Sequence, residues 1–164
     1  MTDSPLSDFP LVTRLATSTD TPALVRLINA SFIVEQFFVS GDRISSAEVA
    51  ALQERGSFLV IDAANGVLTA CVYVERRGEG AYLGLLSVDP GRQKQGIGTA
   101  LLRAAEQHCA RLGCRTMEIR VVNVREELLP YYEKHGYRAY ATEPFSTPER
   151  ATRPCHFVLM SKLI

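Results

Sequence analysis

Two short blocks carry most of the residues whose types and spacing can do chemistry. The first is Val88-Asp89-Pro90-Gly91-Arg92-Gln93-Lys94-Gln95-Gly96-Ile97-Gly98-Thr99-Ala100-Leu101-Leu102, which reads as an extended segment, a tight loop and the opening of a helix. The first backbone N–H groups of a helix lack intrahelical acceptors, and the summed peptide dipoles place about half a positive charge there, so such an end suits a phosphate. Gly96 and Gly98 carry no Cβ, which lets the main chain approach phosphate oxygens closely. Arg92 and Lys94 add cationic charge. The second block, Tyr131-Tyr132-Glu133-Lys134-His135-Gly136-Tyr137, supplies phenols, which are neutral at pH 7 and keep a proton available for donation.

Spacing separates three phosphate-loop patterns. Gly91 to Gly96 matches the first part of GxxxxGK[ST], but Ile97-Gly98 stands where that loop requires Lys-Ser/Thr. A dinucleotide fingerprint needs a third glycine at position 101, which is Leu101. What remains is QxxGxG, from Gln93 to Gly98.

This pattern, led by Val88-Asp89-Pro90 and followed by Thr99-Ala100-Leu101-Leu102, resembles the GCN5-related N-acetyltransferases (GNAT), whose [QR]xxGx[GA] loop holds the pyrophosphate of acetyl-CoA. The second block is similar to that family's LYEKLGF segment, at the expected distance downstream. The resemblance implies an α/β (α+β) fold with a mixed, mostly antiparallel central sheet flanked by helices. It also implies transfer of acetyl from acetyl-CoA, as co-substrate, to a primary amine by direct attack in a ternary complex. A non-catalytic acyl-CoA-binding sensor or regulatory module is the alternative; Tyr132 favours the enzyme, and the absence of a clear base leaves room for the module.

Residue by residue, the resemblance puts Tyr132 in the place of the tyrosine that donates a proton or hydrogen bond to the leaving sulfur. Leu86, Ser87 and Val88 take the place of backbone that binds the pantetheine arm as an added strand would. Gln93, Lys94, Gln95, Gly96, Ile97, Gly98 and Thr99 surround the pyrophosphate, and Asn123 and Lys134 fall near the pantetheine or adenosine end. Gln93 replaces the arginine commonest at the loop's first position, and Lys94 sits where many relatives have glycine. Many relatives carry a carboxylate or histidine on the strand entering the loop; here Tyr82 and Gly84 stand there, leaving Tyr82 either as a proton relay through water or as packing.

A base matters because presenting a neutral lysine amine near pH 7 costs roughly 4.6 kcal/mol, against about 1 for an α-amine. Glu35 and Phe37 fall in the segment that the resemblance sets beside the acceptor, Glu35 to attract an amine and Phe37 to pack along its carbon chain. The other reading is a solvated carboxylate beside a core aromatic. Glu35 and Asn123 are further candidates for positioning a water.

The composition sets the frame for these blocks. Eighteen basic residues balance eighteen acidic ones, so no global field points to nucleic acid or an anionic membrane. Cys71, Cys109, Cys114 and Cys155 lack C-x-x-C spacing and read as buried free thiols, while His108, His135 and His156 are too dispersed for a metal set. No metal is expected. Residues 1–10 read as a loose tail without the basic-then-apolar pattern of a signal peptide, and no apolar run reaches the roughly 18 residues of a membrane span. The expectation is a cytoplasmic protein with a single domain over residues 11–164 whose partner is a small-molecule or peptide amine; a homodimer is implied only by the family.

The elements that must position the two blocks follow from periodicity. Residues 11–16 read as a strand, and Pro22 opens a helix that runs to about Phe32 with Leu24, Leu27 and Ile28 on one face. A second helix starts near Ser46, and residues 57–62, 67–75 and 81–88 form an antiparallel meander around the Asn65-Gly66 turn. Leu101, Ala105, Cys109 and Leu112 form the stripe of a helix that Gly113 ends. Residues 115–122 alternate as a strand parallel to the one before the loop. Pro130 makes the helical turns before it irregular, and residues 137–143 and 155–162 close the sheet around a loop carrying Phe145, Glu149, Arg150 and Arg153.

Overall fold

A computed structural model describes residues 11–164, and the loose tail expected for residues 1–10 lies outside them. Strands β1 (Thr13–Leu15), β2 (Ser57–Asp62), β3 (Leu68–Arg77), β4 (Gly80–Val88), β5 (Thr116–Val122), β6 (Arg138–Pro144) and β7 (His156–Leu163) form one sheet in the order β1-β2-β3-β4-β5-β7-β6. Neighbours are antiparallel except β4 and β5, which run parallel. The sheet is mixed, mostly antiparallel and flanked by helices, as expected.

Period-two alternation in β2 and β3 builds two cores, one on each face. Leu59, Ile61, Val72 and Val74 pack under α3 (Ile97–Arg111), and Phe58, Val60, Cys71 and Tyr73 under α1 (Thr21–Ser31) and α2 (Ser46–Arg55). α1 buries Leu24, Leu27 and Ile28, the i, i+3, i+4 set of a helix with one apolar face. The Ser45 hydroxyl caps α2 by accepting the Glu48 N–H at 3.2 Å. α3 buries Ile97, Leu101, Leu102, Ala105 and Cys109. Leu112 departs from the expected stripe and is 48% exposed, because it already belongs to the turn into Gly113, whose φ is +90°. Of the four thiols, Cys71, Cys109 and Cys114 are buried and Cys155 only partly so.

α4 (Leu128–Lys134) contains Pro130 as its third residue. The proline fits because its missing N–H falls in the first helical turn, and the residues just before Leu128 form turns rather than helix.

The feature that makes room for a site lies in β4. Its pairing with β5 runs from Gly80 opposite Thr116 to Tyr82 opposite Glu118 and ends there. The register between β3 and β4 shifts between Cys71 and Tyr73, and Leu85 takes a φ of 55°. This bulge changes the phase of the strand, so the residues facing the α3 core pass from Ala81 and Leu83 to Leu86 and Val88. β5 continues with β7 as far as Val122 opposite Phe157, so β4 and β5 part like the arms of a V.

At the far edge of the sheet Arg14 clamps the entry to α1, with Nη1 2.9 Å from Asp20 and Nε 2.7 Å from Asp62. Asp20 also accepts the Thr17 N–H at 2.7 Å. The Arg14 hydrogen bond holds the Asp20 carboxyl at about 2, down from 3.8. A depressed carboxyl stabilises the fold above its unfolded value, and that contribution is lost as pH falls through the folded one. Asp20→Asn therefore costs about 1 kcal/mol of unfolding free energy at pH 7. In urea titrations the gap to the wild type narrows as pH falls from 3.8 towards about 2; a constant gap contradicts this account.

Candidate active site

Where β4 and β5 part, a cleft of 820 Å³ opens. Its walls come from β4, the loop into α3, the outer half of β5, α4, the 3-10 turn Phe32–Phe37 that follows α1, and the loop between β6 and β7.

The loop after β4 is shaped by its own hydrogen bonds. Asp89 Oδ1 accepts the Gly91 N–H at 2.8 Å, and the Gln93 amide donates to the Val88 carbonyl at 3.2 Å. Gly96 is the N-cap of α3 with φ of 78°. A Cβ there would meet nothing within 4 Å, so the backbone conformation, not space, calls for glycine. Lys94 adopts a similar left-handed conformation, φ 66°, at the place where the sequence departs from glycine. The consequence is an α3 start whose free N–H groups open onto the cleft.

Leu86, Val88, Gln93, Lys94, Gly96, Ile97, Gly98 and Thr99 all line the cleft. Other candidates sit differently. Ser87 is buried on the opposite side of the strand, its hydroxyl donating to the Leu85 carbonyl at 2.9 Å, and Gln95 is exposed on the loop. Asn123 is spent on the sheet, its side-chain oxygen accepting the His156 N–H at 2.8 Å. Lys134 is exposed at the end of α4.

Tyr132 lines the cleft yet is only 8% exposed. Its ring is held edge-on between Tyr131 and Tyr137, with centroids 5.1 Å and 5.7 Å away. Burial pushes its pKa up, so the phenol keeps its proton throughout the neutral range. Tyr82 shares this cleft. Its ring lies across Gly84, where a Cβ would come 2.8 Å from the hydroxyl, and the Arg77 and Arg120 guanidinium carbons sit 4.3 Å and 5.6 Å from its centroid.

Glu35 is neither solvated nor alone. It is 8% exposed, lines the cleft, and pairs with Arg125 at 3.0 Å, while Arg125 also holds Glu127 at 2.7 Å. Desolvation raises the Glu35 pKa, and Arg125 works against that rise. Phe37 turns outward, 45% exposed beneath Arg153, and its neighbour Phe38 faces the cleft instead. The loop between β6 and β7 closes this end, with Phe145, Thr147 and Arg150 on the lining. It is strapped down by Ser40 N–H to the Arg150 carbonyl at 2.9 Å, Thr152 N–H to the Phe38 carbonyl at 2.8 Å, and the Arg150 side chain on the Ser40 and Asp42 carbonyls.

Sequence reasoning did not find Arg125, Arg120 or Phe38. Nothing in the local pattern marks Arg125, whose partner Glu35 lies 90 residues away. Among the described residues no group of His, Cys, Asp and Glu is arranged to hold a metal ion, and no helix is long and apolar enough to cross a membrane.

Residues 22–137 match the family described as acetyltransferase (GNAT), so the chain belongs to that family and is an acetyl-CoA-dependent acyltransferase. No curated protein matches it by sequence. Among solved structures, it is similar to the ribosomal-protein-S18-alanine N-acetyltransferase of Escherichia coli, with TM-score 0.74, 22% identity and 94% of each chain covered. Ard1 from Thermoplasma volcanium gives TM-score 0.77 at 18% identity, covering 93% of this chain and 97% of that one. The phosphinothricin acetyltransferase Pat from Sinorhizobium meliloti, in complex with AcCoA, gives 0.74 at 15%, covering 95% and 89%. At these identities the likeness is one of fold.

The left-handed Lys94 makes a prediction about the loop. Lys94→Gly gains about 0.5 to 1 kcal/mol of unfolding free energy and Gly96→Ala loses about 1. Denaturant titration of both checks this, and no difference in sign between the two sites contradicts it.

Proposed function

We propose that the protein acetylates a primary amine by direct attack of that amine on the thioester of bound acetyl-CoA. The observation that carries this reading is the convergence of three features on one cleft: the β4 edge beyond Tyr82, the start of α3, and the Tyr132 phenol. The crystallisation of the Sinorhizobium protein with AcCoA supports use of the shared fold for that ligand.

In this reading the pantetheine arm lies along the backbone of Leu86, Ser87 and Val88, replacing β5 as a neighbour. The diphosphate sits on the N–H groups from Gly96 to Thr99, with Lys94 beside it. Gln93 and Gln95 shape that loop. Lys134 and Asn123 lie outside the cleft lining, and the Asn123 side chain is committed to the sheet. The amine enters past Phe38, and Glu35 with Arg125 binds and orients it.

The amine nitrogen attacks the carbonyl carbon, the C–S bond breaks, and Tyr132 gives its proton to the departing thiolate. The attacking nitrogen loses one proton, which Glu35 accepts through water, with Tyr82 as a second relay. Return of that proton to Tyr132 completes the balance: acetyl-CoA and amine become N-acetylamine and CoA. Tyr132 suits the donor role because burial keeps it protonated. Glu35 suits the acceptor role because it lines the cleft and burial raises its pKa above that of an ordinary carboxylate.

The test is CoA release with spermidine, free lysine and an alanyl tetrapeptide, alongside acetyl-CoA binding by calorimetry. Tyr132→Phe lowers kcat about 100-fold and leaves the Kd for acetyl-CoA within about twofold. Unchanged turnover in that variant, or acetyl-CoA binding without turnover of any amine, contradicts the proposal. The acid limb of kcat/KM lies above the ordinary carboxylate range, and Glu35→Gln abolishes it; a limb that survives that change assigns it elsewhere.

A further inference from the structure

The two rings that clasp Tyr132 are each tied to α3. Tyr131 shares a hydrogen bond with Thr99 Oγ1 at 3.1 Å, in the first turn of the helix. The Tyr137 hydroxyl donates to Glu106 at 2.9 Å, two turns further along. Glu106 is in turn held by Lys162 of β7, whose Nζ lies 2.9 Å and 3.0 Å from its two oxygens. The Lys162 stem also covers Gly136, where a Cβ would stand 3.4 Å from its Cε, and the Tyr137 N–H donates to the Tyr132 carbonyl at 3.0 Å.

Tyr137 is 1% exposed, so this is a buried ring carrying one polar atom, and that atom has a charged partner. Burial and the Glu106 carboxylate both push the Tyr137 pKa up, which keeps the hydroxyl a donor. None of Tyr137, Glu106 and Lys162 lines the cleft; they stand behind Tyr132, which does, and Tyr137 packs against its ring. Its members come from α3, the turn after α4, and β7, so it ties the helix that opens on the phosphate loop to the residue block that bears the phenol.

Resting on the acid role proposed for Tyr132, we infer that Tyr137, Glu106 and Lys162 form a positioning device that fixes the Tyr132 hydroxyl relative to the N-terminus of α3. The cofactor's diphosphate and its sulfur are separated by a flexible arm, and a proton donor must meet the sulfur within hydrogen-bond reach. Setting the donor against the same helix that receives the diphosphate gives both ends of the arm one rigid reference.

A double-mutant cycle tests this, with kcat read for whichever of spermidine, free lysine and the alanyl tetrapeptide turns over fastest, and acetyl-CoA Kd and the urea midpoint measured for every variant. Tyr137→Phe, which keeps the ring, lowers kcat about tenfold with the Kd within about twofold. Glu106→Ala does the same, and Glu106→Gln, which keeps an acceptor for the hydroxyl, recovers most of the loss. In the Tyr132→Phe background the Tyr137→Phe effect on kcat shrinks below about twofold, although its effect on the urea midpoint persists. A full tenfold loss in that background, or no loss in the Tyr132 background, overturns the inference while leaving the acid role intact. No effect of Tyr132→Phe itself overturns both.

Discussion

Everything at the site depends on β4 abandoning β5 after three residue pairs. Two parallel strands in mid-sheet ordinarily satisfy each other's backbone groups along their length. Here the Leu85 bulge turns β4 away, leaving an edge inside the protein where a ligand's amides can pair, at the same end as the α3 N-terminus. A sheet edge and a helix end are the two backbone surfaces that bind without side-chain chemistry. The bulge brings them to one cleft, and side chains are needed only where bonds change.

Conformational strain and charge lie close together in the loop. Gly96 meets the left-handed requirement at no steric cost, whereas Lys94 meets a similar requirement with a side chain. A glycine at 94 relaxes the backbone but removes a cation from the cleft lining. The acceptor end shows the same exchange between stability and use. Glu35 is withdrawn from water, and Arg125 compensates it while being shared with Glu127, so the carboxylate is held in place without being fully neutralised.

The phosphate loop, the tyrosine block and nearly all strands were legible because each rests on local rules. The Asn65-Gly66 turn signal placed β2 and β3, alternation placed β5, the proline signal placed α1, and Gly113 ended α3. Tyr132 and Tyr82 were named from the family resemblance, and both line the cleft. What escaped was non-local. The Leu85-Leu86 pair interrupts the alternation of β4, but only the register with β3 shows it to be a bulge. Arg125 gains meaning from Glu35, and the loop carrying Arg150 from carbonyls more than 100 residues earlier. The choice between Phe37 and Phe38 turned on a 3-10 turn whose three-residue period points the first outward. Leu112 was misjudged because helical periodicity says nothing of where the helix stops.

The account's central claim is that one cleft fixes both the diphosphate and the sulfur of the cofactor. A crystal structure with CoA tests it most directly. The account predicts the diphosphate on the N–H groups of Gly96 to Thr99, pantetheine beside Leu86 and Val88, and the thiol sulfur about 3 to 3.5 Å from the Tyr132 hydroxyl. A CoA bound elsewhere, or bound in the cleft with its sulfur beyond reach of that hydroxyl, contradicts it.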